Sequence, residues 1–161
     1  MLRKTKILLV ATVALWGLLG AFGNLSDWGE TMGAVGAVTS MASFEGGAES
    51  WKATTNPAVI WLGALFIILS KLAAGVLCSM GTWRMWQARV GDAAGFAAAK
   101  EIALAGCAVA VIMLFGGFIV IAESWFELWR SDGFGGEVLQ SAFRYGGFIT
   151  LIALFVGAKE D

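Results

Sequence analysis

Four long apolar runs dominate this chain of 161 residues, and they constrain its fold more than any motif does. A helix needs about 20 mostly apolar residues to cross the hydrocarbon core of a bilayer. Residues 7–23, 58–80, 102–122 and 142–157 fit that requirement, the last run being the shortest. In lipid a spanning segment must satisfy its own backbone, so the runs predict helices. Barrel strands would alternate polar and apolar residues, and these runs do not. The expected fold class is all-α: one integral membrane four-helix bundle, with outer loops at 24–57 and 123–141 and an inner loop at 81–101. Composition agrees. Apolar residues make up 58% of the chain and charged residues 14%, against about 25% charged in an ordinary soluble domain.

Several function classes fall away at once. The chain has no histidine, which removes histidine-ligated haem, histidine–zinc sites and histidine general bases. A net charge of −1 gives no basic footprint for nucleic acid. Phosphate-loop, dinucleotide and zinc spacings are absent. No cofactor is expected.

Arg3, Lys4 and Lys6 ahead of the first run resemble the start of a secretory signal peptide. The run is longer than a signal's usual 7–15 apolar residues, so an uncleaved span is expected. Orientation follows from the positive-inside rule. The amino terminus carries those three cations, and the loop after the second run carries Arg84, Arg89 and Lys100. Lys159 at the carboxy end is diluted by Glu160 and Asp161. The other side holds Asp27, Glu30, Glu45 and Glu49 with Lys52, then Glu123, Glu127, Asp132 and Glu137 with Arg130. Both termini are therefore expected to be cytoplasmic, in a bacterial inner membrane.

Local signals place the connections. Met32, Val35, Val38 and Met41 recur at helical spacing, predicting a short helix in or on the outer interface. Asn56 and Pro57 suit the cap and first position of the second helix. That helix should run on to Gly91, with Asp92 capping the next. Trp83 and Trp86, with Arg84 and Arg89, are candidate inner-interface lipid contacts. Residues 131–136 read as a turn.

Association in lipid depends on close packing of small residues. Candidate stripes are Ala14, Gly17 and Ala21; Gly63, Ser70, Ala74 and Gly81; Ala103, Gly106, Ala110 and Gly117; and Gly146, Thr150, Ala153 and Gly157. Cys78 and Cys107 read as reduced, buried small residues.

Lys71 is the sharpest polar feature, because it lies near the centre of the second run. A central lysine costs upward of about 2.5–3.5 kcal/mol and usually faces protein or water. Three readings stay open: a structural lysine that snorkels or bonds to carbonyls and Ser70, a neutral amine, or a pairing with a carboxylate, headgroup or cofactor from another chain. Glu123 and Glu127, four apart, stand among Trp125, Trp129 and Arg130. Together with Arg144 they are candidate outer-interface contacts. The plainer reading is a helix end stabilised by Arg130.

Gly117-Phe118-Ile119-Val120, the stretch from Glu123 through Trp125, Phe126, Glu127 and Trp129 to Ser131, and Ala142-Phe143-Arg144 carry a resemblance. So, more weakly, do Asn24, Asp27-Trp28, Val35, Val38, Ser40-Met41 and Trp51-Lys52-Ala53 to Pro57. The chain resembles domain-of-unknown-function family 2165, small predicted bacterial integral membrane proteins with four spans. The resemblance leads one to expect a histidine where Ala37 stands, an aspartate at Ala42 and an acid at Lys71. It implies an architecture and no established activity. The reading that follows is a non-catalytic accessory subunit of a larger membrane complex, respiratory or photosynthetic, contacting lipid and other subunits or copies of itself. The alternative is a small oligomeric transporter or channel using Lys71.

Overall fold

The computed structural model describes residues 1–159; Glu160 and Asp161, counted above toward the charge of the carboxy end, lie outside the described residues. Helix α1 spans Leu2–Ser26, α2 spans Trp28–Ser40 and α3 spans Pro57–Ala88. Helix α4 spans Ala93–Val111 and continues without a break into a π-helical segment, Ile112–Trp125. A single 3-10 turn, Leu128–Arg130, precedes α5, Phe134–Gly157. The described residues contain no strand.

Four of these helical units are long and apolar enough to cross a membrane: Leu2–Ser26, Pro57–Ala88, Ala93–Trp125 and Phe134–Gly157. Their outward faces are apolar too. Leu8, Leu15, Leu19 and Phe22 of α1 and Phe148, Leu151 and Leu154 of α5 are exposed. Continuous apolar surface of this extent is unstable in water and suits lipid as solvent.

One end of the bundle, the terminal end, gathers both chain ends and the α3–α4 turn. Arg3 donates to the carbonyls of Arg89 and Gly91, at 3.2 and 2.7 Å. Lys6, wholly buried, and Lys100 both donate to the Ala158 carbonyl, at 2.8 and 2.9 Å. Cations suit the negative end of the α5 dipole, so basic residues that served above only to set orientation also tie three helices together here. The other end, the loop end, holds α2 and the two longer connections.

Helix α3 is the spine. Its glycines and those facing it let backbones touch. A methyl group on Gly17 would sit 2.7 Å from the Gly75 nitrogen and the Lys71 carbonyl. One on Gly81 would sit 2.6 Å from the Ala103 backbone. Ala14, Gly17 and Ala21 of the first expected stripe are buried, as are Ala74 and Gly81 of the second. Ala103, Gly106 and Ala110 of the third are also buried. Cys78 and Cys107 are free and buried at the α3–α4 seam, where a methyl on Gly106 would meet Cys78 Sγ at 2.6 Å.

The fourth stripe differs from expectation. The buried seam of α5 is Gly135, Ala142, Ile149 and Val156, one residue per two turns, while Thr150 and Gly157 are exposed. The helix also begins well before the apolar run. Gly133, at φ 100°, absorbs the turn, and Gly135 packs so closely on the Leu128 carbonyl that a methyl there would sit 2.5 Å away. The glycines read as a loop signal therefore serve one turn residue and one close helix approach.

The π-helical segment carried no signal in the hydropathy pattern. Its i to i+5 backbone bonding shows in Phe126 N–H to the Ile121 carbonyl, 3.0 Å, and the Ser124 hydroxyl donates to the Ile119 carbonyl at 2.9 Å. Gly117 of the third expected stripe is half-buried there and faces Phe66 of α3.

Candidate functional site

Local sequence explains the frame around the candidate residues. Asn56 accepts from the Ala58 N–H at 2.9 Å with Pro57 at the first helical position, and Asp92 accepts from the Gly95 N–H at 2.8 Å. The expected short helix is α2. Its Val35 and Gly36 meet Gly63 and Ile60 near the start of α3, and Trp28 packs on Trp61 with ring centroids 4.9 Å apart.

Lys71 has a partner within the chain. Its Nζ donates to Asn24 Oδ1 at 2.5 Å. The Asn24 amide donates in turn to Thr31 Oγ1, and the Thr31 hydroxyl donates to the Asn24 carbonyl, both at 3.0 Å. The lysine stem lies over Gly20, which leaves room for it. Lys71 therefore stretches along α1 toward the loop end and holds the α1–α2 corner at Asp27. Ser70 is half-buried and does not take part in this relay. Asn24 and Thr31 were missed as partners; the only signal was a polar pair flanking the end of the first apolar run.

The outer candidates divide. Glu127 has φ 54° and lies past the helix end, so it shares no helical face with Glu123. The expected pairing of the two carboxylates along one helix is corrected on that ground. Glu127 forms an ion pair with Lys52 and a second with Arg130 at 2.8 Å. The Lys52 and Arg130 cations hold its carboxyl below the usual carboxylate range, Lys52 having the larger effect. Arg130 also stacks over Phe44, 4.5 Å from the ring centroid. Trp51 and Trp125 meet edge to face at 5.5 Å. Asp132 N–H reaches the Ser43 carbonyl at 3.4 Å. The two connections at the loop end are thus locked into one platform, on which Trp51 is 82% and Trp129 64% exposed.

Glu123 is half-buried. With Phe115, Ile119, Gln140, Phe143 and Gly147 it lines a groove of about 740 Å³ between the π-helical segment and α5. Arg144 is not at a helix mouth. It lies about ten residues inside α5, is exposed, and bonds to Ser141 Oγ at 3.1 Å.

At the terminal end Trp83, Arg84 and Trp86 are exposed. Arg89 stacks over the Trp86 ring at 4.1 Å and donates to its carbonyl at 2.6 Å. Among the described residues no cluster of three metal-binding side chains occurs. Ala37 is half-buried on α2, and Ala42 is exposed just past it.

No curated protein and no solved structure matches the chain. The family match, by contrast, runs over residues 2–159, nearly end to end. The chain belongs to the family described as predicted small integral membrane protein (DUF2165).

Proposed function

We propose that this protein is a non-catalytic accessory or stabilising subunit of a larger complex in a bacterial inner membrane, with its terminal end in the cytoplasm. The observation that carries the proposal is the platform at the loop end. Two separate connections are pinned together by Glu127, Lys52 and Arg130, and the result displays Trp51 and Trp129 outward. Large aromatic side chains held on a rigid base are the residue type that dominates protein interfaces. The basic residues of the terminal end, including Arg3, Lys4, Lys6, Arg84 and Arg89, support the cytoplasmic assignment.

The transport alternative required Lys71 to line a path. Its bond to Asn24 gives that cation a structural task instead. Purification of the tagged chain from native membranes in mild detergent tests the subunit reading. The expected product is a defined larger assembly, and a monodisperse lone monomer would count against it.

A further inference from the structure

Arg144 is an exposed cation inside α5 whose one bond among the described residues is to a neutral hydroxyl. It lies about ten residues past the start of α5 and thirteen before its end at Gly157. With a rise of about 1.5 Å per residue, those stretches are ~15 Å and ~20 Å long. Two contacts with α1 agree with that depth. Ala158 meets Lys6, and Tyr145 packs on Trp16 at 5.8 Å. Trp16 stands ~15 Å along α1 from Lys6 by the same rise. With Ala158 at one boundary of a hydrocarbon core of about 30 Å, Arg144, next to Tyr145, would lie ~10 Å inside the other.

Its direction is equally informative. Gln140, Arg144, Gly147 and Leu151 recur at helical spacing and are all exposed. That face is turned away from the buried seam of Ala142, Ile149 and Val156, and its Gln140, Gly147 and Leu151 also border the groove beside the π-helical segment. Nothing stands within 4 Å of a methyl group built on Gly147 or Gly136, so a neighbouring helix could approach to backbone contact. The only bond Arg144 makes among the described residues is to Ser141, a neutral hydroxyl one turn toward the loop end. Lys71, the other cation at such depth, is satisfied by Asn24. A cation in hydrocarbon is costly unless paired, and a guanidinium stays charged at any physiological pH.

We propose that the Gln140–Arg144–Gly147–Leu151 face of α5 docks a transmembrane helix of another protein that carries an aspartate or glutamate in the half of the hydrocarbon core nearer the loop end. The inference deepens the subunit reading and rests on it, because it names the partner's chemistry. A second copy of this chain does not fit. A two-fold axis along the membrane normal brings equal depths together and sets Arg144 against Arg144. Among the chain's own acids, Glu101 follows Lys100 at the terminal end, and Glu123 lines the groove beside Gln140, about one turn nearer the loop end than Arg144. A lipid phosphate lies beyond the hydrocarbon core and makes no use of the bare glycines.

The test uses the full-length protein in phosphatidylcholine vesicles. Its probe is a synthetic spanning peptide of about 20 leucines and alanines with one glutamate a third of the way along, and a second peptide has leucine there. Energy transfer between labelled protein and peptide reads association. The glutamate peptide should bind about tenfold more tightly than the leucine peptide, the fold-change of one strong interhelical polar contact. Arg144→Gln should erase the difference and Arg144→Lys should keep most of it. Helix content should be unchanged in both, because the side chain is exposed.

Equal binding of the glutamate peptide to wild type and Arg144→Gln overturns the proposal. So does binding that follows added phosphatidylglycerol without preferring the glutamate peptide, which assigns the face to anionic headgroups. Arg144-dependent transfer between copies of the protein overturns it in favour of self-association. The outcome is separable from the subunit reading. If the peptide test fails while the native assembly co-purifies, only the Arg144 face is wrong. If the peptide test succeeds and native membranes yield a lone monomer, the face stands and the subunit reading falls.

Discussion

Helices α3 and α5 both cross the bundle, yet they are built on opposite plans. Helix α3 is gripped from two sides by backbone contact, with Gly17 and Gly75 on the α1 side and Gly81 and Gly106 on the α4 side. Helix α5 is held by a buried seam of four residues with Ile152 and Ala153 beside it, by the Trp16–Tyr145 contact, and by the cations that bind the Ala158 carbonyl just past its end. On α3 the intramembrane cation finds an amide within the chain; on α5 it points away from the bundle. The difference teaches that the α1–α3–α4 sector holds the fold, while α5 offers the surface still to be covered.

Overfilling the tight sector should have the largest effect. Gly81→Leu forces a side chain into space where even a methyl sits 2.6 Å from Ala103. A loss of about 3 kcal/mol or more is expected, read by denaturant unfolding in detergent micelles. The Lys71 relay should come next. Asn24→Leu leaves the ammonium unpaired and should cost about 1–3 kcal/mol by the same measurement. Adding Lys71→Leu to Asn24→Leu should recover part of that loss, because the uncompensated charge is gone; no recovery would dissolve the pair.

The loop-end platform should respond to pH. Lys52 and Arg130 hold the folded Glu127 carboxyl below its ordinary value of 4.5. Its contribution is therefore complete above about pH 4.5 and is lost as the pH falls through the lowered folded value. Tryptophan fluorescence from Trp51 and Trp125 should change on acidification below that point, and Glu127→Gln should flatten the response. The smallest effect belongs to α5. Gly147→Leu adds a side chain to open space. By the same unfolding measurement it should alter the stability of the isolated protein by about 0.5 kcal/mol at most.

What could be read from the chain in advance follows a physical division. Span number, the α2 helix and the caps at Asn56 and Asp92 are local, set by runs, periods and single residues. The relay from Lys71 to Asn24 joins positions 47 apart, and the Lys52–Glu127 pair joins positions 75 apart. No local pattern encodes either. The π-helical segment stayed hidden because its apolar side chains satisfy an α-helical reading equally well. The start of α5 was hidden by Gly133, Gly135 and Gly136, whose composition signals a turn whatever their packing. Arg144 was legible as a candidate residue, but its depth was not, since depth depended on where α5 begins.

Gly147→Leu in native membranes tests the central division most directly, since it fills the outward face of α5 and leaves the packed sector untouched. The account predicts a protein that melts like wild type in detergent yet is missing from the larger assembly recovered in mild detergent. A Gly147→Leu protein that remains in that assembly in wild-type amount, or one that fails to fold, would contradict it.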